Sequence, residues 1–506
     1  MHWVLVPLIF LTYRFKKSSK RGRLTSLLND SIMNDYILTV GLEIHAELRT
    51  RTKMFCDSAN DPDEVRPNAN ICPVCMGHPG TLPVINKEAV KHVLKVGLAL
   101  GGRLADFTEF DRKNYFYPDI PKGYQLSQYE FPLVSGGNLR GVNITRVHLE
   151  EDTATSLHEE GAYSLIDFNR AGVPLMELVT EPMIRSAKEA SDFARELQLL
   201  LRYLGVSNAN MEKGEMRVEA NISVSRTAGT LGTKVEVKNL NSFRAVEHAI
   251  AYETERHTVL LESGGTIVQE TRGWDEHLGK TFSQRSKEEA EDYRYFPDPD
   301  LPKLSIGEIP EFASTLLRAE MPELPQEKRE KYRLLGIKEG DAEVLIANRS
   351  FSRMFEATAQ ILTNKAELLL ASNYLTSDLI GLVKGAEGDT DTDGFLFTPS
   401  AFAELMQMVS EKKLSSRGAK DILAVMYEKG GTPRMLAKEL DLMQKSDAGE
   451  LTRVVEGIIA SHPKVVADYR SGKMAALQFL VGQGMKATKG SANPEVLREV
   501  FIALLA

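Results

Sequence analysis

Apolar residues alternate strictly with Glu or His along residues 42–48 of the stretch VGLEIHAEL (40–48). Successive side chains of a β-strand point to opposite faces, so four apolar side chains share one face and Glu43, His45 and Glu47 share the other. Such a strand needs a hydrophobic core beneath it. It is either a solvated edge strand or a strand that carries metal ligands into a cleft.

Strand patterns of this kind recur up to about residue 305, separated by Gly, Pro and Asn. The runs MRVEANISVS and TKVEVKNL flank a Gly-containing loop and predict a hairpin. A helix is predicted between a Ser186–Glu189 capping box and Gly205. Strands interleaved with helices, without strict β-α-β spacing, predict an α+β fold with a mostly antiparallel sheet.

The composition changes near residue 305, and helical patterns then continue to the C-terminus. The segment KGAEGDTDTDG (384–394) is polar and Gly-rich, which predicts a linker. We therefore expect a sheet domain at 35–305, a helical linker domain at 306–394 and a helical tail domain at 395–506.

The first 34 residues have a different composition from the rest. The run HWVLVPLIFLTY is apolar, but at about a dozen residues it is too short to span a bilayer. Its basic residues follow the apolar run, the reverse of a secretory signal. We favour an upstream extension outside the fold, with Met33 as the working start and a bacterial cytoplasmic location. The alternative is a cleaved presequence and a mitochondrial or plastid matrix location.

Charge and cysteine content restrict the function classes. The net charge of −8 excludes a globally basic surface, so nucleic acid would have to contact local patches. Lys486 and Lys489 lie beside glycines near the C-terminus, a pattern that suits a phosphate backbone or an ordinary solvated surface. Three cysteines in 506 residues make no disulfide framework and indicate a reducing compartment.

Two further stretches carry charged residues in strand patterns. In HLEED, His148, Glu150 and Asp152 alternate, while Glu151 faces the other way. Glu177 lies in the apolar run VPLMELV, where a carboxylate is costly to bury unless it is paired or bound to a cation. Histidine with several carboxylates suits Mg²⁺ or Mn²⁺. Solvation or ordinary ion pairing is the alternative for each cluster.

Aromatic and cationic residues are interleaved in FDRKNYFYPDIPKGYQLSQYE (110–130), which includes Arg112, Lys113 and Tyr115. Such residues can stack on bases or hold phosphates, and tyrosines that cover a sheet are the alternative.

The cysteines have the spacing of an incomplete zinc knuckle. Cys72 and Cys75 form a CxxC motif, and Cys56 lies sixteen positions before it. Asp57 or His78 could supply a fourth ligand. Three reduced thiols without a metal are the alternative.

Six stretches occur in the order found in one family: VGLEIHAEL, DRKNYFYPDIPKGYQLSQ, HLEEDTA, NRAGVPLMELVTEP, VKNLNSF and DYRYFPDPDL. With the tail segment LVGQGMKATKGSANP, they make the chain resemble the B subunits of aspartyl/glutamyl-tRNA amidotransferases from about residue 35 to the C-terminus. Composition and periodicity do not carry this resemblance.

The resemblance implies a ligase in translation that forms a carbon–nitrogen bond. Such a B subunit works in a heterotrimer with an amidase, the A subunit, which releases ammonia from glutamine, and with a small stabilising C subunit. It uses ATP and Mg²⁺ to phosphorylate the side-chain carboxylate of Glu-tRNA(Gln), Asp-tRNA(Asn) or both, and ammonia then converts it to the amide. The implied fold is a cradle-shaped catalytic domain followed by a helical linker and a tail that contacts tRNA. A membrane has no part in it.

The resemblance also assigns residues. Its metal-site positions are Glu43, His45, Glu150 and Glu177, with Glu151 and Asp152 as catalytic neighbours. Contacts to ATP or substrate fall on Arg112, Lys113, Tyr115 and Arg170, and tRNA contacts on Lys486 and Lys489. An acyl phosphate brings anionic oxygens together, which explains the need for a divalent cation.

The chain departs from this family at the cysteines. Zinc-bearing members have CxC before CxxC, whereas the second position here is Ser58. Serine is a poor zinc ligand, so we expect a weakened or lost structural site at Cys56, Cys72 and Cys75.

Two other functions use the same residues. A metal-dependent hydrolase would need neither ATP nor a partner, and a tRNA-binding scaffold would tolerate loss of Glu43 and His45. The order and density of the family motifs favour the amidotransferase.

Overall fold

A computed structural model describes residues 35–157, 163–286, 293–385, 394–444, 448–488 and 492–505. The predicted N-terminal extension, most of the predicted linker and Lys489 lie outside the described residues. The chain divides into two compact units between Leu324 and Pro325. Within the described residues, no helix has both the length and the apolar content needed to cross a bilayer.

The first unit contains the strands. They are β1 Ile37–Glu47, β2 Arg103–Leu104, β3 Phe107–Thr108, β4 Asp111–Asn114, β5 Tyr124–Ser127, β6 Val134–Ser135, β7 Asn138–Leu139, β8 Val142–Glu151, β9 Thr155–Leu157, β10 Leu165–Asp167, β11 Pro174–Thr180, β12 Met216–Ser225, β13 Val235–Leu240, β14 Glu270–Asp275, β15 Lys280–Ser286, β16 Phe296–Pro297 and β17 Leu304–Ser305. Its helices are α1 Lys87–Ala99, α2 Ala187–Leu204, α3 Phe243–Glu262 and α4 Ser314–Ala319, with 3₁₀ turns at Ile306–Glu308 and Pro310–Phe312.

One large sheet organises this unit, with strand order β15-β14-β13-β12-β1-β11-β8-β6-β2 and β7 beside β8. Only the β13–β14 pair among these described strands is parallel. The predicted hairpin forms between β12 and β13. The predicted α+β class with a mostly antiparallel sheet is therefore confirmed.

The apolar face of β1 lies in the core of the first unit. Val40, Leu42, Ile44 and Ala46 are fully buried, in one core cluster with Phe193 and other apolar residues of α2. The capping predicted for α2 is present, since the Ser186 hydroxyl accepts from the Glu189 N–H and Gly205 has a φ of 69°. Because β1 has neighbours on both sides, it is a central strand and the solvated-edge alternative is wrong.

The second unit is helical throughout its described residues. Its helices are α5 Pro325–Leu335, α6 Glu339–Ala347, α7 Arg349–Ala359, α8 Lys365–Asn373, α9 Ile380–Gly385, α10 Pro399–Ser410, α11 Ser416–Lys429, α12 Pro433–Glu439, α13 Ala448–Ser461, α14 Pro463–Arg470, α15 Met474–Ala487 and α16 Pro494–Leu505, with a π-helical turn at Tyr374–Leu379. The last four helices share a core that includes Leu451, Leu480 and Phe501.

Candidate active site

The polar face of β1 is built by strand register. His45 pairs with Glu177 on β11, and Glu177 pairs in turn with His148 on β8. Glu43 pairs with Glu219 on β12. Directly paired residues of neighbouring strands project to the same face, so carboxylates and imidazoles from four strands meet above the centre of the sheet. We call Glu43, His45, His148, Glu150 and Glu177 the acidic face.

Distances within the acidic face are those of a potential cation site. The His45 Nε2 atom lies 3.4 Å from Glu177 Oε2, 3.7 Å from Glu150 Oε1 and 3.9 Å from Glu43 Oε1. His148 Nε2 lies 3.5 Å from the same Glu177 oxygen. Two triads, Glu43–His45–Glu177 and His148–Glu150–Glu177, have donor atoms within 4.8 Å of one another. The structure thus brings together all four predicted metal-site residues.

The acidic face contains polar atoms without partners. Glu150 Oε2 and His148 Nδ1 are buried and accept or donate no hydrogen bond among the described residues. Burial raises the pKa of Glu150, and it lowers the pKa of His148 to about 4. Burial together with the neighbouring charges of Glu177 and Glu219 raises the pKa of Glu43 to about 7. Excess negative charge at a buried site is the environment that a divalent cation stabilises.

Glu177 is the ionised centre of this group. Burial disfavours its charge, but His148 and the hydrogen bond from His45 outweigh burial and hold its pKa well below the usual range. Burial likewise opposes the charge of His45, yet Glu177 raises the pKa of that imidazole to about 9. Arg146 Nη2 lies 3.3 Å from Glu177 Oε1. Arg146 was not singled out in the sequence because nothing in its own stretch marks it.

Asp152 belongs to a neighbouring ion-pair group. Its carboxylate accepts two hydrogen bonds of 3.1 Å from the Arg217 guanidinium, and Arg170 Nε lies 3.3 Å away. Burial opposes the charge, but the two arginines lower the pKa of Asp152. Burial and the nearby Asp152 raise the pKa of Glu47 to about 8. Asp152 and the predicted substrate contact Arg170 thus touch each other, beside the acidic face.

Glu151 points away from the acidic face, as the alternation predicts. Its carboxylate forms an ion pair with Lys122 and accepts a 2.9 Å hydrogen bond from the Leu126 N–H. It lines a narrow cleft together with Asp152 and Cys75. The structure therefore separates Glu151 from the four predicted metal-site residues.

Lys113 lies near the acidic face between tyrosines. Its Nζ atom is 5.1 Å from the ring centre of Tyr293 and 5.9 Å from that of Tyr115. Burial disfavours its charge, but Glu150 and other neighbours raise the pKa of Lys113 above its ordinary value. The Tyr115 hydroxyl donates to Gln125 Oε1 over 3.1 Å.

Arg112 is engaged differently from Lys113. Its Nε donates to Asp298 over 2.6 Å, its Nη2 lies 3.3 Å from Asp300, and its guanidinium stacks 4.4 Å from the Tyr124 ring centre. These contacts connect β4 to the segment FPDPDL.

A third triad, made only of carboxylates, extends the acidic face toward β13. Glu43, Glu219 and Glu236 have donor oxygens within 4.8 Å, and Lys238 Nζ lies 2.8 Å from Glu219. Sequence reasoning missed Glu219 and Glu236. Their alternation within the two hairpin strands was visible, but which strand adjoins β1 was not.

The three cysteines also meet. Cys56, Cys72 and Cys75 have sulfur atoms within 4.8 Å of one another, and Ser58 Oγ is 3.8 Å from Cys75 Sγ. Among the described residues, neither Asp57 nor His78 joins this group, and both are exposed. Lys53, fully buried, places its Nζ atom 3.9 Å from Cys75 Sγ.

Of the two predicted tRNA contacts, Lys486 is described. It is exposed in the last turn of α15.

Comparison with known proteins matches both units. A family model described as the GatB/GatE catalytic domain matches residues 38–309, and one described as the GatB domain matches residues 353–505.

Three curated relatives are named as B subunits of aspartyl/glutamyl-tRNA(Asn/Gln) amidotransferases. The Synechocystis protein is 42% identical over 499 residues, which cover 94% of this chain and 99% of the relative. The Persephonella marina protein is 43% identical over 477 residues, with 92% and 98% covered. The Thermomicrobium roseum protein is 44% identical over 480 residues, with 92% and 98% covered.

Proposed function

We infer the function of this chain from the family to which it belongs, that of the aspartyl/glutamyl-tRNA(Asn/Gln) amidotransferase B subunits. The family resemblance noted in the sequence is thereby confirmed. The chain is one subunit of a glutamine-hydrolysing ligase that makes Gln-tRNA(Gln), Asn-tRNA(Asn) or both. It uses ATP to phosphorylate the side-chain carboxylate of the misacylated tRNA. A partner amidase supplies ammonia, and a further small protein completes the heterotrimer.

The observation that carries this proposal is the acidic face. Its oxygen and imidazole donors suit Mg²⁺ or Mn²⁺. Glu150 Oε2, which is buried and has no hydrogen-bond partner among the described residues, is available as a ligand atom. Glu43, His45, Glu150 and Glu177 would hold the ion. A divalent cation there supplies positive charge that offsets the phosphate and carboxylate oxygens when they approach each other.

The chain's own cations complete the charge balance. Lys113 carries a positive charge, half-buried beside the acidic face, and its aromatic neighbours hold its side chain in place. We assign Lys113 to the phosphate of ATP, because transfer spreads negative charge over the phosphoryl oxygens. Tyr115 acts by positioning Lys113.

Arg170 and Arg112 receive different assignments within the same proposal. The Arg170 side chain is 28% exposed, and its Nε donates to the Thr153 carbonyl over 3.1 Å and lies 3.3 Å from Asp152, so its Nη groups are the ones assigned to the substrate carboxylate. Arg112 forms ion pairs with Asp298 and Asp300. Its proposed part is therefore to hold β4 against β16. Glu151 and Asp152 act as positioning residues for Lys122 and for the two arginines that face Asp152.

The second unit supplies the tRNA contact in this proposal. Lys486 is exposed in the tail and can approach a phosphate backbone, where each such contact adds salt-dependent affinity. Lys489, outside the described residues, is assigned the same role from its sequence position. The three relatives named above come from bacteria, and we propose a cytoplasmic location.

An amidation assay tests the proposal. The chain is co-expressed with its amidase and small partner proteins, and Glu-tRNA(Gln) or Asp-tRNA(Asn) is supplied with glutamine, Mg²⁺ and ATP. We expect ATP-dependent amidated tRNA, lost in His45→Ala. His248→Ala is the matched control, because His248 is an exposed histidine of α3 in the same unit.

The outcomes separate the alternatives. Product that persists in His45→Ala would overturn the assignment of the acidic face. Turnover of an ester or amide without ATP, and without amidation, would favour the metal-dependent hydrolase instead.

A further inference from the structure

A compact thiol cluster lies outside the acidic face. It consists of Cys56, Cys72, Cys75 and Lys53. The sulfurs of Cys72 and Cys75 are 3.9 Å apart, and the Cys72 N–H donates to Cys75 Sγ over 3.1 Å. The Met76 N–H donates to the Cys72 carbonyl over 3.1 Å, so the CxxC segment is a closed turn. The fold therefore holds the Cys72 and Cys75 thiols in contact without a covalent bond between them, with the Cys56 thiol beside both.

The donor set of this cluster does not fit a four-ligand zinc site. Three thiols are present among the described residues. The Ser58 hydroxyl oxygen lies 3.8 Å from Cys75 Sγ, but a hydroxyl binds zinc poorly while it carries its proton. The buried Lys53 ammonium lies 3.9 Å from Cys75 Sγ. It offsets negative charge on that sulfur, as the metal ion does in a zinc–thiolate site. The cluster is thus supported by a lysine and by backbone N–H groups.

We propose that Cys72 and Cys75 form a reversible thiol oxidation site. A hydroperoxide oxidises Cys72, which is half-buried and more accessible than Cys75, to a sulfenic acid and is itself reduced to water or an alcohol. The Cys75 sulfur then attacks the Cys72 sulfur, the Cys72 S–O bond breaks, hydroxide leaves as water with the Cys75 proton, and the disulfide forms. Two thiols lose two electrons and two protons in total. The sulfurs must approach by roughly 2 Å to reach bonding distance.

Oxidation at Cys75 would change the shape of the cleft that contains Glu151 and Asp152, because Cys75 lines the same cleft. Lys53 Nζ donates to the Phe168 carbonyl over 3.1 Å, and the Met54 N–H donates to the Gly172 carbonyl over 2.7 Å. These two bonds hold the ends of the loop that carries Arg170.

Close packing on the other side of the turn adds a second connection. A Cβ atom at Gly77 would lie 2.7 Å from Lys122 Cγ, so the end of the CxxC turn sits directly against the lysine that pairs with Glu151. A disulfide that shifts the turn therefore changes the supports of both Lys122 and Arg170. We infer that oxidation lowers amidation at least fivefold and that a dithiol restores it. This activity effect rests on the proposed function, whereas formation of the disulfide does not.

The experiment treats the full-length chain, in its assembled complex, with hydrogen peroxide in the presence of a metal chelator. Intact mass and peptide mapping are then measured, with dithiothreitol reversal. We expect a loss of two hydrogens and a Cys72–Cys75 linked peptide. Cys56→Ser should keep that linkage, and Cys72→Ser should abolish it. A linkage that uses Cys56, or oxidation only to sulfinic acid, would overturn the proposal.

A gain-of-ligand variant sharpens the test. Ser58→Cys supplies a fourth thiol beside Cys75, so we expect it to bind one zinc ion per chain and to resist peroxide when zinc is present. The unsubstituted chain should oxidise at the same rate with or without added zinc. One zinc ion per chain that survives chelation of the unsubstituted protein, and blocks oxidation, would overturn the proposal.

The two claims fail in different ways. Disulfide formation without any change in amidation would overturn the coupling to the cleft and leave the oxidation site. Absence of amidation in the fully reduced complex would count against the proposed function, while the mass measurement would still decide the oxidation site.

Discussion

Two buried carboxylates of the first unit show how differently a fold can treat a charge. Glu253 on α3 is fully buried and accepts hydrogen bonds of 2.7–3.1 Å from Arg256, and another from the Thr281 hydroxyl. His257 Nε2 lies 3.1 Å from it and Arg272 Nε lies 3.3 Å from it. Burial raises its pKa, but the nearby His257 imidazole and the hydrogen bonds from Arg256 and Thr281 outweigh burial and lower the pKa of Glu253 to about 2.

Glu150 on the acidic face is equally buried, at 3% exposure, but has an oxygen without a partner among the described residues. Its pKa is raised by burial, opposite in direction to that of Glu253. The difference teaches that the charge of Glu253 is neutralised by its partners. Because Arg272 and Thr281 lie on the β14–β15 hairpin, Glu253 stabilises the packing of that hairpin on α3. The acidic face keeps an imbalance that a bound cation can correct, which is typical of a functional site.

The largest expected effect is on amidation and comes from Glu177, which belongs to both histidine-containing triads of the acidic face. Glu177→Gln removes the ionised centre of the acidic face while it keeps the side-chain volume. We expect ATP-dependent amidation by the complex to fall about 100-fold or more, since a charged group that stabilises the transition state is lost. Steady-state amidation measures it. A loss of amidation below threefold would contradict the functional role of the acidic face, and with it the contrast to Glu253.

Glu253→Gln is expected to act on stability instead. It removes the fully buried counter-charge of Arg256 and leaves Arg272 paired with Glu270 alone, so the free energy of unfolding of the first unit should fall by about 3 kcal/mol. Urea unfolding followed by the fluorescence of Trp274, which lies on β14, measures this change. Amidation per folded complex should stay within a factor of two. A strong loss of activity without loss of stability would contradict the structural role.

Glu150→Gln, unlike Glu253→Gln, should not lower the free energy of unfolding appreciably in buffer that contains a metal chelator. The substitution removes a buried charge that lacks a full set of partners, so the free energy of unfolding should change by less than about 1 kcal/mol or should rise. The same urea measurement applies. Destabilisation as large as that of Glu253→Gln would mean that Glu150 is paired after all.

The pH dependence of stability provides a smaller, signed test. The folded pKa of Glu253, about 2, lies below the ordinary value of 4.5, so its contribution is complete above pH 4.5 and is lost as the pH falls toward 2. The stability difference between the unsubstituted chain and Glu253→Gln should therefore shrink over that window. For Glu150 the raised folded pKa reverses the sign, so its charge costs stability as the pH rises above 4.5. Parallel curves for Glu253→Gln and the unsubstituted chain would contradict the balance described for Glu253.

Sequence reasoning succeeded where a local pattern determines orientation. The alternation around Glu43, His45 and Glu47 predicted which face each side chain occupies, and the capping residues predicted α2. Strand patterns also singled out Glu150 and Glu177, and the family resemblance grouped them with Glu43 and His45. The structure places both beside His45.

Strand neighbours and the pairing of cations could not be predicted in the same way. The pattern of one strand fixes its faces but not the strand beside it, so Arg217, Glu219 and Glu236 were missed. Likewise, the sequence did not indicate that Lys53, in the polar run RTK, would be fully buried against Cys75. Burial and partners of a charged residue arise only when distant segments meet.

Cation binding tests the central claim most directly. The full-length chain is titrated with Mn²⁺, and free Mn²⁺ is measured by electron paramagnetic resonance, with Glu177→Gln and His248→Ala alongside. We predict a Mn²⁺ site in the unsubstituted chain and in His248→Ala, with affinity at least tenfold weaker in Glu177→Gln. Equal affinity in all three proteins, or no binding to the unsubstituted chain, would contradict the claim that the acidic face is a cation site.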